Sequence, residues 1–179
     1  TPKGAALIRI PGKGGGDLRV VSAHVDTLGA MVRSIDKDGG IHFTPLGGYS
    51  FNTIENEYCT LFSRAGRLRG TILATHTSVH VWEDARKQPR EEKNMVIRLD
   101  AEAKERKDVL DLGVRPGDFV AFDPRVEVTR SGFVKSRHLD DKAGVSVLMA
   151  CLEHWKRTGE RPIGPPAAAE HAAAVLLRG

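Results

Sequence analysis

Ser22-Ala23-His24-Val25-Asp26 and Arg137-His138-Leu139-Asp140-Asp141-Lys142 are the two stretches on which the reading of this chain turns, each closing a strand-like apolar run. Side chains on a strand alternate with period two, so His24 and Asp26 share one side of a strand end. Imidazole and carboxylate are the ligand types that a zinc-like ion takes from proteins. Asp26 is placed to hold the second nitrogen of an imidazole ligand. Asp140, at the head of a helix pattern, is placed to bridge two ions about 3.5–4 Å apart, the spacing of two-metal sites. Each motif also has a plainer reading. From spacing alone His24 reads more simply as an ordinary strand-end histidine, and Asp140 and Asp141 read as well as helix N-terminal carboxylates stabilised by the dipole.

Outward from these motifs the pattern changes character twice. Ala5–Ile10 and Leu18–Ala23 read as strands, the second a nearly continuous apolar run suited to a central, doubly covered strand of an α/β sheet. From Thr27 to Asp123 short β-like runs follow one another: Ala30–Ile35, Ile41–Thr44, Thr60–Ser63, Arg69–Ala74, Met95–Leu99 and Phe119–Phe122. Turn signals such as Lys37-Asp38-Gly39-Gly40 and Arg115-Pro116-Gly117-Asp118 divide them, which predicts a small barrel or sandwich. Within this region Ala101–Leu112 reads as a helix, with Asp100 as its cap and Gly113 at its end. After Asp140, helical spacing of Val145, Leu148, Met149 and Leu152 predicts a helix over 142–157 that stops at Gly159. Residues 161–167 read as a break and 167–178 as an alanine-rich amphipathic helix.

Composition bounds the function. The chain has 179 residues, 40% hydrophobic and 28% charged, the balance of a globular protein of one or two domains. Its formal charge of +4 invites a nucleic-acid reading, but acids and bases alternate through 83–108 without a basic block, so no nucleic-acid partner is expected. Cys59 and Cys151 lack metal-knuckle or redox spacing. With no membrane span and no signal-peptide pattern at Thr-Pro-Lys-Gly, the expected compartment is the cytoplasm. His76 and His80 stand four apart, yet their β-branched neighbours argue for a strand or loop rather than a helical metal pair. His42, His138, His154 and His171 are expected to be structural or exposed. Gly12–Gly16 precedes a strand, not a helix, and so is no nucleotide fingerprint.

In combination, Ser22–Gly29, Thr71–Thr75 with Ser78-Val79-His80-Val81, Asn94–Asp100, Leu112–Asp118 and Lys135–Lys142 resemble the glutamyl and tetrahedral aminopeptidases, also called cellulase-M-like or FrvX-like metallopeptidases. The resemblance spans about residues 1–160, in order. It implies an α/β fold in which a catalytic sheet domain, incomplete here (1–26 and 124–179), is interrupted by a small β-barrel-like dimerisation domain (27–123). It further implies removal of N-terminal residues from peptide substrates with two divalent metal ions, zinc or cobalt, and self-association into dimers and larger particles. By motif match His24 corresponds to a metal ligand, Asp140 to the bridging ligand, and Asp26 to the catalytic carboxylate beside the histidine. Thr27 departs from the acidic residue many members carry. A complete member continues with a Glu-Glu pair and further aspartate and histidine ligands, and none is found in Arg161–Gly179; Glu170-His171 does not replace them. One account is a chain that omits a central stretch and joins its two ends. The competing readings are a non-catalytic assembly module and, weakest, a nucleic-acid-binding barrel.

Overall fold

A computed structural model of the chain describes residues 2, 4–11, 20–160 and 172–178, with the backbone alone at Pro11 and 172–178. In chain order the first strands are β1 (Ala6–Pro11), β2 (Val20–His24), β3 (Gly29–Ile35), β4 (Ile41–Leu46), β5 (Tyr58–Ser63), β6 (Gly66–Ala74) and β7 (Met95–Leu99). Then come α1 (Arg106–Asp111), β8 (Phe119–Phe122), β9 (Glu127–Val128), β10 (Val134–Lys135), α2 (Leu139–Thr158) and β11 (Ala172–Arg178). The chain forms two units, one from residues 1–27 with 126–179 and the other from residues 28–125.

The second unit is a closed barrel in the order β3-β4-β7-β6-β5-β8, the barrel rather than the sandwich of the two arrangements that its short strands allowed. Each strand sends every other side chain inward. Ile41 and Phe43, Cys59 and Leu61, Ile72 and Ala74, Met95, Ile97 and Leu99, and Val120 and Phe122 are all buried. On β3 the inward parity changes. A register shift between Val32 and Ser34 adds one residue, so that Ile35 rather than Ser34 joins Ala30 and Val32 in the core. Burial pushes the Cys59 thiol up to about 12. On the outside, Arg69 clamps Asp123 through two hydrogen bonds of 2.7 and 2.6 Å and also donates to Thr60 Oγ1 at 2.7 Å. The bonds from Arg69 hold the Asp123 carboxyl below the usual carboxylate range.

The helix expected over 101–112 is shorter than its pattern. It runs only Arg106–Asp111, and its cap is Glu105 in a capping box with Asp108, not Asp100. The Asp100 amide donates to the Arg69 carbonyl at 2.9 Å, carrying the β6–β7 pairing one residue further. The helix start is set later, where the Asp108 carboxylate accepts the Lys104 and Glu105 amides at 2.8 and 3.1 Å. Gly113 follows the helix with φ 90°, the left-handed ending expected of it.

The first unit holds a three-stranded sheet in the order β1-β11-β2, antiparallel between β1 and β11 and parallel between β11 and β2. Two expectations are corrected here. Residues 172–178 are a strand rather than part of an amphipathic helix, and 167–171 lie outside the described residues. Alanine favours helix by propensity, but pairing with a neighbour on each side overrides propensity, and an uninterrupted apolar run suits an interior strand. That interior place belongs to β11, so β2 is paired on one side only among the described residues, and Val20 and Val21 are exposed. α2 covers the span expected after Asp140 and ends where Gly159, at φ 71°, donates to the Trp155 carbonyl. No helix among the described residues is long and apolar enough to cross a membrane.

Candidate metal centre

β2 ends on His24, and the following residues to Leu28 carry no strand pairing, so the imidazole stands at the carboxyl end of a parallel strand. In the register of β11 on β2, Arg178 lies opposite His24, which brings the carboxyl ends of both strands to one edge. Open sheets commonly place their chemistry outside such strand ends.

The histidine is bracketed by two carboxylates. Its Nδ1 lies 3.1 Å from Asp26 Oδ1 and its Nε2 lies 3.2 Å from Asp140 Oδ1. Nδ1 is shielded from solvent, yet the Asp26 oxygen is not aligned to form a hydrogen bond with it. The two carboxylates therefore serve opposite nitrogens. Asp140 is almost wholly accessible, at 94% side-chain exposure against 41% for His24, so its remaining oxygen is open.

The donors on the Nε2 side suit one shared cation. Zinc sits about 2.0–2.1 Å from imidazole nitrogen and about 2.0–2.2 Å from carboxylate oxygen. Donors at those lengths in tetrahedral array are roughly 3.4 Å apart, close to the 3.2 Å between His24 Nε2 and Asp140 Oδ1. A third donor is not gathered there. Among the described residues no three His, Cys, Asp or Glu side chains converge on one metal position, and Asp26 faces the other nitrogen.

Why Asp140 is free while Asp141 is not follows from the start of α2. Asp140 (φ −87°, ψ 111°) and Asp141 (φ −116°, ψ 33°) are not helical, and the peptide bond between them is cis. Regular helix therefore begins at Lys142. Asp141 Oδ1 accepts the Gly144 amide at 3.1 Å, the bond of an N-cap to the third helical residue. A methyl group at Gly144 would stand 2.2 Å from that same oxygen, so only glycine admits the cap as it is formed. The dipole reading of the two aspartates thus fits Asp141, and Asp140 is left to face His24.

Two contributions escaped the reading of the sequence: the capping bond, and Lys142, whose ammonium donates to the Val25 carbonyl at 2.8 Å. An aspartate three positions before a glycine at a helix start was the available signal for the cap. His76 and His80 lie in a turn-rich loop, as their neighbours indicated. His76 stacks on Trp82 with ring centroids 4.0 Å apart and pairs with Asp84 at 2.8 Å. His42 pairs with Asp36 and His154 with Glu160, while His138 is buried at the entrance to α2.

A family model of M42 glutamyl aminopeptidases matches residues 4–163. The chain belongs to the M42 glutamyl aminopeptidase family. This M42 chain is 51% identical over 151 residues to YhfE of Bacillus subtilis (strain 168), a candidate aminopeptidase, with 84% of the chain and 44% of YhfE covered. The TET aminopeptidase of a marine sediment archaeon, Thaumarchaeota archaeon SCGC AB-539-E09, superposes with a TM-score of 0.80 at 24% identity, over 97% of this chain and 46% of that one. The TET1 peptidase of Pyrococcus horikoshii, which can assemble into a tetrahedron or a large octahedral shell, does so with a TM-score of 0.73 at 23% identity, over 97% and 48%. At those identities the likeness establishes the M42 fold, a sheet unit interrupted in sequence by a closed barrel. The chain spans less than half the length of these relatives.

Proposed function

We propose that this M42 chain contributes part of the centre of a metal-dependent aminopeptidase that removes N-terminal residues from peptides. The observation that carries the reading is the meeting of His24 and Asp140 at 3.2 Å across 116 positions of an M42 sequence. His24 and Asp140 would hold a divalent ion, zinc or cobalt, and the accessible carboxylate of Asp140 would leave a donor for a second one. Asp26 lies 3.1 Å from Nδ1 and, once aligned with it, would fix the rotation of the imidazole, as carboxylates beside metal-bound histidines do. The capping bond of Asp141 keeps Asp140 outside the helix, where its carboxylate needs no backbone partner. A bound pair of ions would supply an activated water and polarise the scissile carbonyl.

The barrel, residues 27–123 in this proposal, is the dimerisation and assembly domain. The shell formed by the Pyrococcus horikoshii relative supports self-association as the family habit. The protein would act in the cytoplasm on peptides.

The test is release of the first residue from a peptide with a free amino end, compared with its N-acetylated twin, before and after chelation and after return of zinc or cobalt. Release from the free peptide alone, lost on chelation and restored by the metal, is the expected result. Equal cleavage of both peptides, or no metal-dependent release, contradicts the proposal. The second reading, an inactive assembly module, is favoured by the lack of a third donor among the described residues. It predicts a stable oligomer in light scattering with no peptide hydrolysis.

A further inference from the structure

Lys142 reaches the histidine segment from the start of the helix. Its ammonium donates to the Val25 carbonyl oxygen at 2.8 Å, a bond across 117 positions in sequence. The accepting carbonyl belongs to the residue between His24 and Asp26. Because β2 ends at His24, that residue has no strand pairing to hold it. Two segments therefore have to be kept in register by something other than the sheet: the turn that carries His24 and Asp26, and the turn that carries Asp140.

We infer that Lys142 is a positioning residue of the metal centre, tying the Val25 carbonyl to the first turn of α2 so that His24 and Asp140 stay within reach of one cation. The inference rests on the metal reading above. Asp140, Asp141 and Lys142 then hold three successive tasks: donor, helix cap and tether. The sequence Asp-Asp-Lys-Ala-Gly completes them with the one residue at 144 that the cap tolerates.

A lysine here has a second physical effect of opposite sign. A positive charge beside a cation site repels the incoming ion. If charge were its whole contribution, removing it would strengthen metal binding. If the tether dominates, removing it weakens binding even though repulsion is relieved. Lys142→Met keeps most of the length of the side chain while deleting both charge and donors. Lys142→Arg keeps both.

The experiment is calorimetric titration of cobalt(II) into the unsubstituted chain, Lys142→Met, Lys142→Arg and His24→Ala, with the 222 nm melting curve of each as the control for folding. Expected are binding weakened roughly ten-fold in Lys142→Met, the usual scale for a lost supporting partner of a metal ligand, and recovery in Lys142→Arg. The melting curves of the two lysine variants should match that of the unsubstituted chain. Equal or tighter binding by Lys142→Met, with binding lost in His24→Ala, overturns the tether and leaves the metal reading standing. Undiminished binding by His24→Ala overturns the metal reading itself.

Discussion

Replacing Gly144 by alanine tests the geometry that frees Asp140, because the effect of that methyl group depends on one carboxylate. In the interior of a helix alanine is favoured over glycine by about 1 kcal/mol. Here the new Cβ would lie 2.2 Å from Asp141 Oδ1 and 2.8 Å from its Cγ, so the Asp141 side chain must swing away and give up the Gly144 amide. Loss of an N-cap costs about 1 kcal/mol, within a range of about 0.5–2. The two effects oppose each other, and Gly144→Ala in the otherwise unsubstituted chain should change stability by roughly zero. Asp141→Ala alone should cost about 1 kcal/mol, since the cap is lost without compensation. Once Asp141 is alanine nothing obstructs the methyl group, and Gly144→Ala should then stabilise by about 1 kcal/mol. The double-mutant cycle therefore carries a coupling of about 1 kcal/mol. It is read from urea midpoints at a common slope, followed at 222 nm, where the regular helix of α2 from Lys142 to Thr158 outweighs the six residues of α1. If Gly144→Ala stabilises equally in both backgrounds, Asp141 does not cap the helix, and the account of why Asp140 stands free fails.

Two further outcomes concern the barrel. Asp123 has its folded pKa lowered by the bonds from Arg69, so its contribution is fully present above the unfolded carboxylate value near ~3.9 and is lost as pH falls through the lower folded value. Asp123→Asn should cost about 1 kcal/mol at pH 7, the partly exposed pair being solvent-screened, and should flatten the acid limb of the stability curve; an unchanged limb would refute the clamp. Cys59 is fully buried with its thiol raised to about 12, whereas Cys151 is partly accessible. A thiol reagent at pH 8 should accordingly label one cysteine in the native protein and both in denaturant, and rapid native labelling of Cys59 would show that the barrel opens.

The strands of the barrel were legible because they carry an alternation that suits a half-buried sheet and because glycine and proline punctuate them, whereas closure rather than a sandwich was not written in that alternation. α2 was legible from the helical spacing of Val145, Leu148, Met149 and Leu152 and from Gly159. What stayed hidden was decided between segments. Ala172–Arg178 has the composition of a helix, and only its pairing with β1 and β2 makes it a strand. Asp100 has the chemistry of a cap, but the helix forms only from Arg106, where the Asp108 carboxylate accepts the Lys104 and Glu105 amides. The site shows the same division. His24, Asp26 and Asp140 stand out by residue type, and the structure brings them together. Asp140 and Asp141 are chemically identical neighbours, however, and which one caps and which one faces the histidine is settled by backbone angles that the sequence does not spell out. Lys142 read only as a residue in the first turn of a helix, since its partner lies 117 positions away.

The most direct test of the account is to titrate cobalt(II) into the ¹⁵N-labelled protein and follow the imidazole resonances of all seven histidines. The account predicts that paramagnetic shifts and broadening appear first at His24 Nε2, ahead of the other six, and that Asp140→Asn removes them. If His24 responds no more than the exposed histidines, or if its response survives Asp140→Asn, then His24 and Asp140 do not share a metal ion and the proposed centre is wrong.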